Sequence, residues 1–421
     1  MYRRRHGACA VTGDLAAAPE RTRALAAAPT GRALRASIEH GRARFLDEWL
    51  RITAVPAPFG EEEPRARLLE SLALETGGAD EVVVDSALNV VATRRGTAQG
   101  PCVALIATLD DLGPVAELRR RPDAPLRVEG DRMLGPGVNT ASSDAVGLAI
   151  LRAFDEAGVR GTGDLVVAFV TGEETGLTGA KHLLAERGSR LAAVVEILGG
   201  LGVVSYGALG AVRLRIVVDG VSRHSLDGGD AAVTTALAAC TLRITGLTPP
   251  PPGISLVPPR PSVHDFATLR VNQLHAGEAF NHSPAAGWLS VDMRGTKQEQ
   301  LAGLGREVRA IAASVAAEHG VEARVEVLRD DPRVGLPGGE GHPLVEAAVA
   351  ATVEAGHEAV VWNWSSSNVN AAAAAGIPAV ALYGGRGDGR TTLAEWCDVP
   401  TVIAGAHAAT LLAAALAGVP G

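Results

Sequence analysis

An unbroken apolar run, Leu165–Val170, constrains the fold more than any other part of the chain. It is rich in valine, which is typical of a parallel strand covered on both faces. The run ends at Thr171 and Gly172, and two acids, Glu173 and Glu174, follow at once. Ligands bind at the carboxyl ends of strands in open α/β sheets. The two acids are therefore a candidate functional site, although acids are also common in solvated loops.

Two further runs predict buried strands of the same sheet. Residues 103–107 are apolar and precede Thr108 and Asp110, and residues 194–198 are apolar except for Glu196. An acid inside a buried strand is costly unless it is paired or bound to a ligand. Glu196 is therefore a further candidate for a functional side chain.

A helix is predicted over the second half of residues 135–158, after the loop GPGVN. We expect it to begin near Ser142 or Ser143, because a serine hydroxyl is a favourable N-cap. The loop lacks the Lys-Ser/Thr ending of a phosphate-binding loop and the dinucleotide pattern. Nucleotide binding is therefore not predicted.

The character of the chain changes near residue 211. Alternating strands and two helical segments then follow in the order strand–helix–strand–strand–helix–strand, which predicts an inserted α+β, ferredoxin-like domain over residues 211–329. Residues 36–210 and 330–421 predict one α/β domain with a mostly parallel sheet. Residues 1–35 are rich in Arg and Ala with little periodicity, and we expect a loose extension or a frayed helix there.

Composition argues against several classes of function. The chain has 421 residues and a formal net charge of −8, which gives no basic footprint for nucleic acid or an anionic membrane. Its four cysteines are scattered without metal-site spacing, which favours a reducing cytoplasm. We expect neither a secretory signal, since the start lacks an apolar core, nor a transmembrane helix of about 18 apolar residues.

The order of these segments and several motifs resemble the M20 family of zinc aminopeptidases, carboxypeptidases and aminoacylases. The motifs are ITAVPAPFGEEEPRARLLE, VVVDSALNVVA, LIATLDDLGP, TGEETGLTGA, VDGVSRHS, NHSPAAGWLSVDMRG and AGIPAVALYGG with TTLAEW. The resemblance implies an α/β catalytic domain with an inserted lid and dimerisation domain, and hence a homodimer. It also implies hydrolysis of an amide by a water that bridges two zinc ions and becomes a hydroxide near neutral pH.

The resemblance implies roles for individual residues. Glu173 matches the general base, and Glu174 and Glu196 match two metal ligands. Asp110 matches the acid that orients a ligand histidine. His224 matches the lid histidine that reaches the scissile carbonyl.

Other matches concern the substrate. Asn281 and Arg294 match positions on the substrate side or in the lid. Asn368 and Asn370 lie where the family has a polar turn that faces the substrate.

The chain departs from the family at three ligand positions. Thr108 stands at the position of the first zinc histidine, and Thr391 at that of the last. The bridging aspartate should lie in GVNTASSDAVG, where only Asp144 is a carboxylate, at shifted spacing. A neutral hydroxyl does not replace imidazole at zinc. We therefore expect no ordinary two-zinc site, and at most a single weak metal on Glu174, Glu196 and Asp144.

Without metal ions, the acids matched above would converge without a counter-charge, and the pKa of at least one would rise. Either a carboxyl is then held protonated or a cation takes the place of the metal. Arg390 is the first candidate for that cation and for a substrate contact, and Arg386 the second. The alternative is that both arginines are solvated.

Three functions stay open. The first is an M20-like amidohydrolase or peptidase that acts on an amide bond of a small peptide or N-acyl amino acid, with a degraded metal site. The second is a metal-independent enzyme that processes an acyl or amide bond with Glu173 and His224. The third is a non-catalytic protein that binds a small peptide or acylated amino acid. Zinc is the cofactor that the resemblance implies; the alternative is none.

Overall fold

The computed structural model describes residues 15–111, 126–198, 202–227, 232–247, 266–382, 385–390 and 392–421. These residues form two compact units. The first unit contains the described residues up to Ala208 and from Gly335 onward, and the second runs from Leu209 to Val334.

An eight-stranded sheet forms the first unit. From one edge to the other its strands are Glu81–Val84, Val90–Arg94, Leu165–Val170, Cys102–Thr108, Leu191–Ile197, Ala379–Leu382, Val203–Ser205 and Val360–Trp362. The three central strands and Ala379–Leu382 run parallel, which confirms the predicted α/β class. Thr108 lies opposite Val170, and Glu196 lies opposite Ile106. The segments that follow these strands therefore meet at one edge of the sheet.

The helices of the first unit occur before, between and after these strands. They are Ala18–Ala27, Pro29–His40, Arg42–Thr53, Glu63–Glu75, Val138–Glu156, Glu173–Gly176, Thr178–Arg187, Pro343–Glu354, Val369–Ala374 and Val399–Leu416. The helix Val138–Glu156 is buried on every side from Val138 to Phe154 except at Thr140. Such a helix carries no amphipathic stripe, because it has no solvent face.

Short elements complete the first unit. A small antiparallel sheet has the order Gly387–Asp388, Trp396–Asp398, Arg132–Leu134, Arg127–Glu129. Single 3₁₀ turns lie at Leu15–Ala17, Gly188–Arg190 and Gly339–Gly341, and two-residue strands at Gly207–Ala208 and Val334–Gly335, the latter at the boundary between the units.

The predicted loose extension over residues 1–35 is wrong for its described part. Residues from Leu15 to His40 are helical, and Leu25 and Leu34 are buried in the main core. The Arg21 side chain also donates to the backbone oxygen of Ala415, in the C-terminal helix. The alanine-rich helix Ala18–Ala27 shows little hydrophobic periodicity, whereas Pro29–His40 carries Leu34 and Ile38 four residues apart on one face, a helical signal that the prediction missed. Residues 1–14 lie outside the described part.

The helix Val399–Leu416 is long and apolar enough to span a membrane, and no other helix in the described ranges is. Its mean hydropathy is 1.7, and 72% of it is buried inside the protein. A core helix of this composition meets the same criterion, and here the helix packs on the N-terminal helices and on Pro343–Glu354.

The second unit has the predicted order strand–helix–strand–strand–helix–strand. Its antiparallel sheet has the order Ala267–Ala276, Ala286–Gly295, Gly210–Asp219, Glu322–Asp331, and its helices are Ala232–Thr245 and Gln298–His319. Alternate residues of the central strands, such as Leu214, Ile216 and Val291, bury against the helices. This α+β unit agrees with the predicted fold class.

Candidate functional site

Glu173 and Glu174 occupy a single helical turn, Glu173–Gly176, directly after the central strand. Gly172 (φ 63°) precedes this turn, and Leu177 (φ 59°) follows it, both in the left-handed region. A left-handed leucine is strained, and strain of this kind is concentrated at functional sites. The Glu173 side chain is buried and that of Glu174 is half-buried.

The Asp110 side chain holds this turn through two backbone N–H groups of the turn. Its Oδ1 accepts the N–H of Glu173 at 2.9 Å, and its Oδ2 accepts the N–H of Glu174 at 3.2 Å. The pKa of Asp110 is raised to about 7. Burial is the main cause, the charge of Glu174 adds to the rise, and the two hydrogen bonds oppose it. Asp110 therefore positions both acids.

A second hydrogen-bond network anchors the residues that flank this turn. Thr171 donates its N–H to Oδ1 of Asn89 at 3.1 Å. Asn89 donates from Nδ2 to Asp85 at 2.8 Å and to the backbone oxygen of Gly179 at 3.0 Å. A side chain at Gly179 would place its Cβ 2.3 Å from Oδ1 of Asn89, so this position requires glycine.

Glu196 is fully buried, and both of its oxygens accept hydrogen bonds. Oε1 accepts the N–H of Asn368 at 2.9 Å, and Oε2 accepts the N–H of Val369 at 3.0 Å and the hydroxyl of Ser367. Burial raises the pKa of Glu196, and these hydrogen bonds oppose the rise. Glu196 thus binds the start of the helix Val369–Ala374.

Thr108 is buried beside the same helix start. Its Oγ1 accepts a hydrogen bond from Nδ2 of Asn368 at 3.2 Å, and its N–H donates to the hydroxyl of Ser143 at 3.3 Å. Asn368 is fully buried, and Oδ1 of the buried Asn370 accepts the N–H of Ser367. The side chain of Asn368 therefore joins a strand end to a helix start, and the substrate-facing role predicted for it stays a prediction.

The helix Val138–Glu156 begins earlier than predicted from its serines. Glu395 accepts hydrogen bonds from the N–H groups of Gly137 and Asn139, both at 2.9 Å. This distant carboxylate satisfies the free amides of the helix start. The hydroxyl of Ser142 donates back to the oxygen of Asn139 within the helix, so Ser142 does not act as the N-cap.

Asp144 lies inside this helix and is fully buried. Among the described residues neither of its oxygens has a hydrogen-bond partner. Burial raises the pKa of Asp144 well above its usual value; the charge of Arg65 lowers it, and those of Asp110 and Asp111 raise it. Arg65 is itself fully buried, with Nη2 2.6 Å from Asp111. Nothing in the sequence singles out Arg65, because its helix shows only an ordinary mixture of charges and leucines.

The counter-charge role predicted for Arg390 and Arg386 stays a prediction, and each arginine acts on another group of the first unit. The charge of Arg390 acts on Cys397, whose thiol pKa is raised by burial to about 12. The charge of Arg386 contributes to the lowered pKa of His357, after burial. Thr391 lies outside the described residues. Arg65 is thus the cation that acts on Asp144.

The donors at this edge do not fit a two-zinc centre. Glu196 is engaged by three protein donors, Asp144 shares its surroundings with the cation Arg65, and Thr108 offers a neutral hydroxyl. In the described part of the chain, no three His, Cys, Asp or Glu side chains are grouped to hold a metal ion. The single weak metal predicted on Glu174, Glu196 and Asp144 stays a prediction.

His224 and Asn281 lie together in the second unit. Nε2 of His224 is 3.2 Å from Nδ2 of Asn281, and the rings of His224 and His282 meet edge to face at 4.9 Å. Nδ1 of His224 lies 3.1 Å from the backbone nitrogen of Leu226. Both neighbours offer a donor, whereas a neutral imidazole has a single acceptor nitrogen, so these two contacts do not fix which nitrogen of His224 carries the proton.

Arg294 is held by an ion pair in the sheet of the second unit. Its guanidinium contacts both oxygens of Asp292, at 2.9 and 3.3 Å, and Arg213 binds the same carboxylate. Burial raises the pKa of Asp292, but these two arginines bring it below its usual value. Arg294 therefore has a structural partner as well as its predicted place on the substrate side.

Comparison with known proteins places these features in a family context. The profile of peptidase family M20/M25/M40 matches residues 114–415. The chain is 28% identical over 290 residues to carboxypeptidase G2 of Pseudomonas sp. (strain RS-16), and the match spans 66% of each protein. It is similar in structure to a tripeptidase from Staphylococcus aureus subsp. aureus Mu50, with a TM-score of 0.68, 19% identity, and 89% of this chain and 98% of that one covered. A Bacillus subtilis protein described as a dinuclear metal binding peptidase from the M20 family has a TM-score of 0.57 and 17% identity. That match covers 89% of this chain and 98% of the Bacillus subtilis chain. At such identities the structural matches show the fold.

Proposed function

This chain belongs to peptidase family M20/M25/M40, and we propose that it hydrolyses an amide bond of a small peptide or N-acyl amino acid without a two-metal centre. The observation that carries this proposal is the strained turn with Glu173 and Glu174, which Asp110 holds by two backbone hydrogen bonds. A turn that had lost its role would gain stability by relaxing, since strain of this kind costs about 1–3 kcal/mol.

Glu173 is assigned the role of general base. Its carboxylate takes a proton from a water as the water oxygen attacks the amide carbon, and the proton then passes to the leaving nitrogen. Asp110 is a positioning residue in this scheme, because it binds the backbone of the turn and is itself buried. For His224 the resemblance predicts a contact with the scissile carbonyl, and this role stays a prediction.

A second candidate function is binding without catalysis. It is favoured by the engagement of Glu196 with three protein donors and of Thr108 with Asn368, because both positions match metal ligands in the resemblance. A small peptide or acylated amino acid is the ligand proposed in that case. A homodimer through the inserted domain and a cytoplasmic location stay predictions.

The test is turnover of a panel of dipeptides and N-acyl amino acids. The protein is assayed as purified, after chelation and after zinc loading, beside Glu173→Gln and the control Glu186→Gln, whose acid is exposed on the next helix. We expect turnover that survives chelation, falls roughly 10²-fold or more in Glu173→Gln and is unchanged in Glu186→Gln.

Two other outcomes decide between the candidates. Turnover that chelation abolishes and zinc restores would overturn the metal-independent proposal. No turnover of the panel, with saturable binding of one of its members by calorimetry, would instead favour the binding protein.

A further inference from the structure

The buried acid Glu196 joins two elements that are far apart in the sequence. It lies in the strand Leu191–Ile197, and its three donors are consecutive residues, Ser367, Asn368 and Val369. These residues form the start of the helix Val369–Ala374. One carboxylate therefore binds the free amides of a helix start and a hydroxyl at the same time.

A second contact ties the neighbouring strand to the same helix start. Asn368 donates from Nδ2 to Oγ1 of Thr108, which ends the strand paired with that of Glu196. Two adjacent strand ends are thus joined to one helix through hydrogen bonds within the chain. We call these five residues the helix-start clamp: Thr108, Glu196, Ser367, Asn368 and Val369.

The clamp and a divalent cation compete for the same lone pairs. A carboxylate offers about four acceptor positions, and three donors already point at Glu196. Each donor presents a positive partial charge, which repels a cation that approaches the same oxygens. A metal ion would have to displace the Ser367 hydroxyl or the helix start.

We infer that Glu196 is a structural anchor in this chain. The helix-start clamp holds the strand ends to the helix Val369–Ala374, in place of a bond between Glu196 and a metal ion. The inference goes beyond the proposed function and does not rest on it, since it concerns stability and metal binding and not turnover.

The first test measures thermal unfolding of full-length variants. Ser367→Ala removes one donor to Glu196, and Ser365→Ala is its control, because Ser365 is also buried but donates to the backbone oxygen of Gly207. Hydrogen bonds to charged groups are stronger than neutral ones. We expect a larger fall in Tm for Ser367→Ala, and a non-additive effect with Glu196→Gln that Ser365→Ala does not show.

The second test measures zinc content and the effect of zinc and of chelation on Tm. We expect an unchanged Tm in both conditions and no stoichiometric zinc in the wild type. About two zinc ions per chain, a Tm that falls on chelation, and reduced zinc in Ser367→Ala or Glu196→Gln would overturn the inference. Equal, additive effects of Ser367→Ala and Ser365→Ala would also overturn it. If Glu196→Gln does not fold, the two serine variants still decide.

Discussion

Asn368 donates from Nδ2 to Oγ1 of Thr108 across 3.2 Å, and both side chains are buried. The Thr108 hydroxyl, which the resemblance matches to a zinc histidine, therefore accepts a hydrogen bond within the chain. Together with the hydrogen bonds of Glu196, this contact joins the ends of two strands to one helix. Removing any of these hydrogen bonds should therefore change the free energy of unfolding.

Replacing Thr108 with valine tests the hydrogen bond directly. The shape is kept, but Nδ2 of the buried Asn368 loses its acceptor, so we expect a cost of about 1–3 kcal/mol in the free energy of unfolding. The control is Thr93→Val, since the Thr93 hydroxyl is buried and has no hydrogen-bond partner among the described residues. Urea unfolding measures both, and equal costs at the two positions would contradict the assignment.

Arg65→Met should be strongly destabilising. The substitution leaves Asp111 without its 2.6 Å partner and removes the positive charge that acts on the buried Asp144. Loss of one member of a buried ion pair typically costs about 3–5 kcal/mol. Arg67→Met, on the exposed face of the same helix, should change stability by less than about 0.5 kcal/mol. The midpoints of urea unfolding compare the two variants. A mild effect of Arg65→Met would show that Asp111 and Asp144 do not need the charge of Arg65.

Leu34→Ala tests whether the N-terminal helices belong to the core. Leu34 is 2% exposed, so its truncation should cost about 2–5 kcal/mol. The same substitution at Leu74, which is 62% exposed, should cost much less. A folded protein with an unchanged unfolding midpoint in Leu34→Ala would mean that the helices detach without consequence.

His407 should make stability fall on the acid side. Burial, and then the charge of Arg35, lower its pKa to about 4, and Nε2 has no hydrogen-bond partner among the described residues. Between the unfolded pKa near 6.5 and pH 4, the unfolded chain binds a proton that the folded chain does not. Stability therefore falls as the pH drops through this window, by roughly 3 kcal/mol in total, and this residue has no effect above it.

The measurement is the unfolding free energy at pH 7.5 and at pH 4.5 for the wild type and His407→Leu. The variant should lose less stability between the two pH values than the wild type. His40→Leu, at an exposed histidine, should leave the difference unchanged. A wild-type slope that persists in His407→Leu would assign the acid sensitivity to other groups.

The local pattern of apolar and polar residues predicted most of the secondary-structure elements. The valine-rich run Leu165–Val170 has the predicted bounds, because only a strand covered on both faces buries such a run. The alternation after residue 211 likewise gave the order of the second unit. The family resemblance, which the profile match confirms, directed attention to Glu173 and Asp110, and the structure joins them by a hydrogen bond. Their catalytic roles stay predictions.

Tertiary contacts decided the rest, because a polar side chain takes its role from partners that local pattern does not reveal. Glu395 sets the start of the helix Val138–Glu156 from more than 250 residues away. The resemblance predicts Glu196 as a metal ligand, and only folding brings Ser367 and Val369 to its oxygens. The charge facing Asp144 comes from Arg65, since folding brings the helix Glu63–Glu75 close to it. Burial then fixes the consequence: an enclosed carboxylate must be bonded, neutralised or bound to a cation, and only the folded chain determines which.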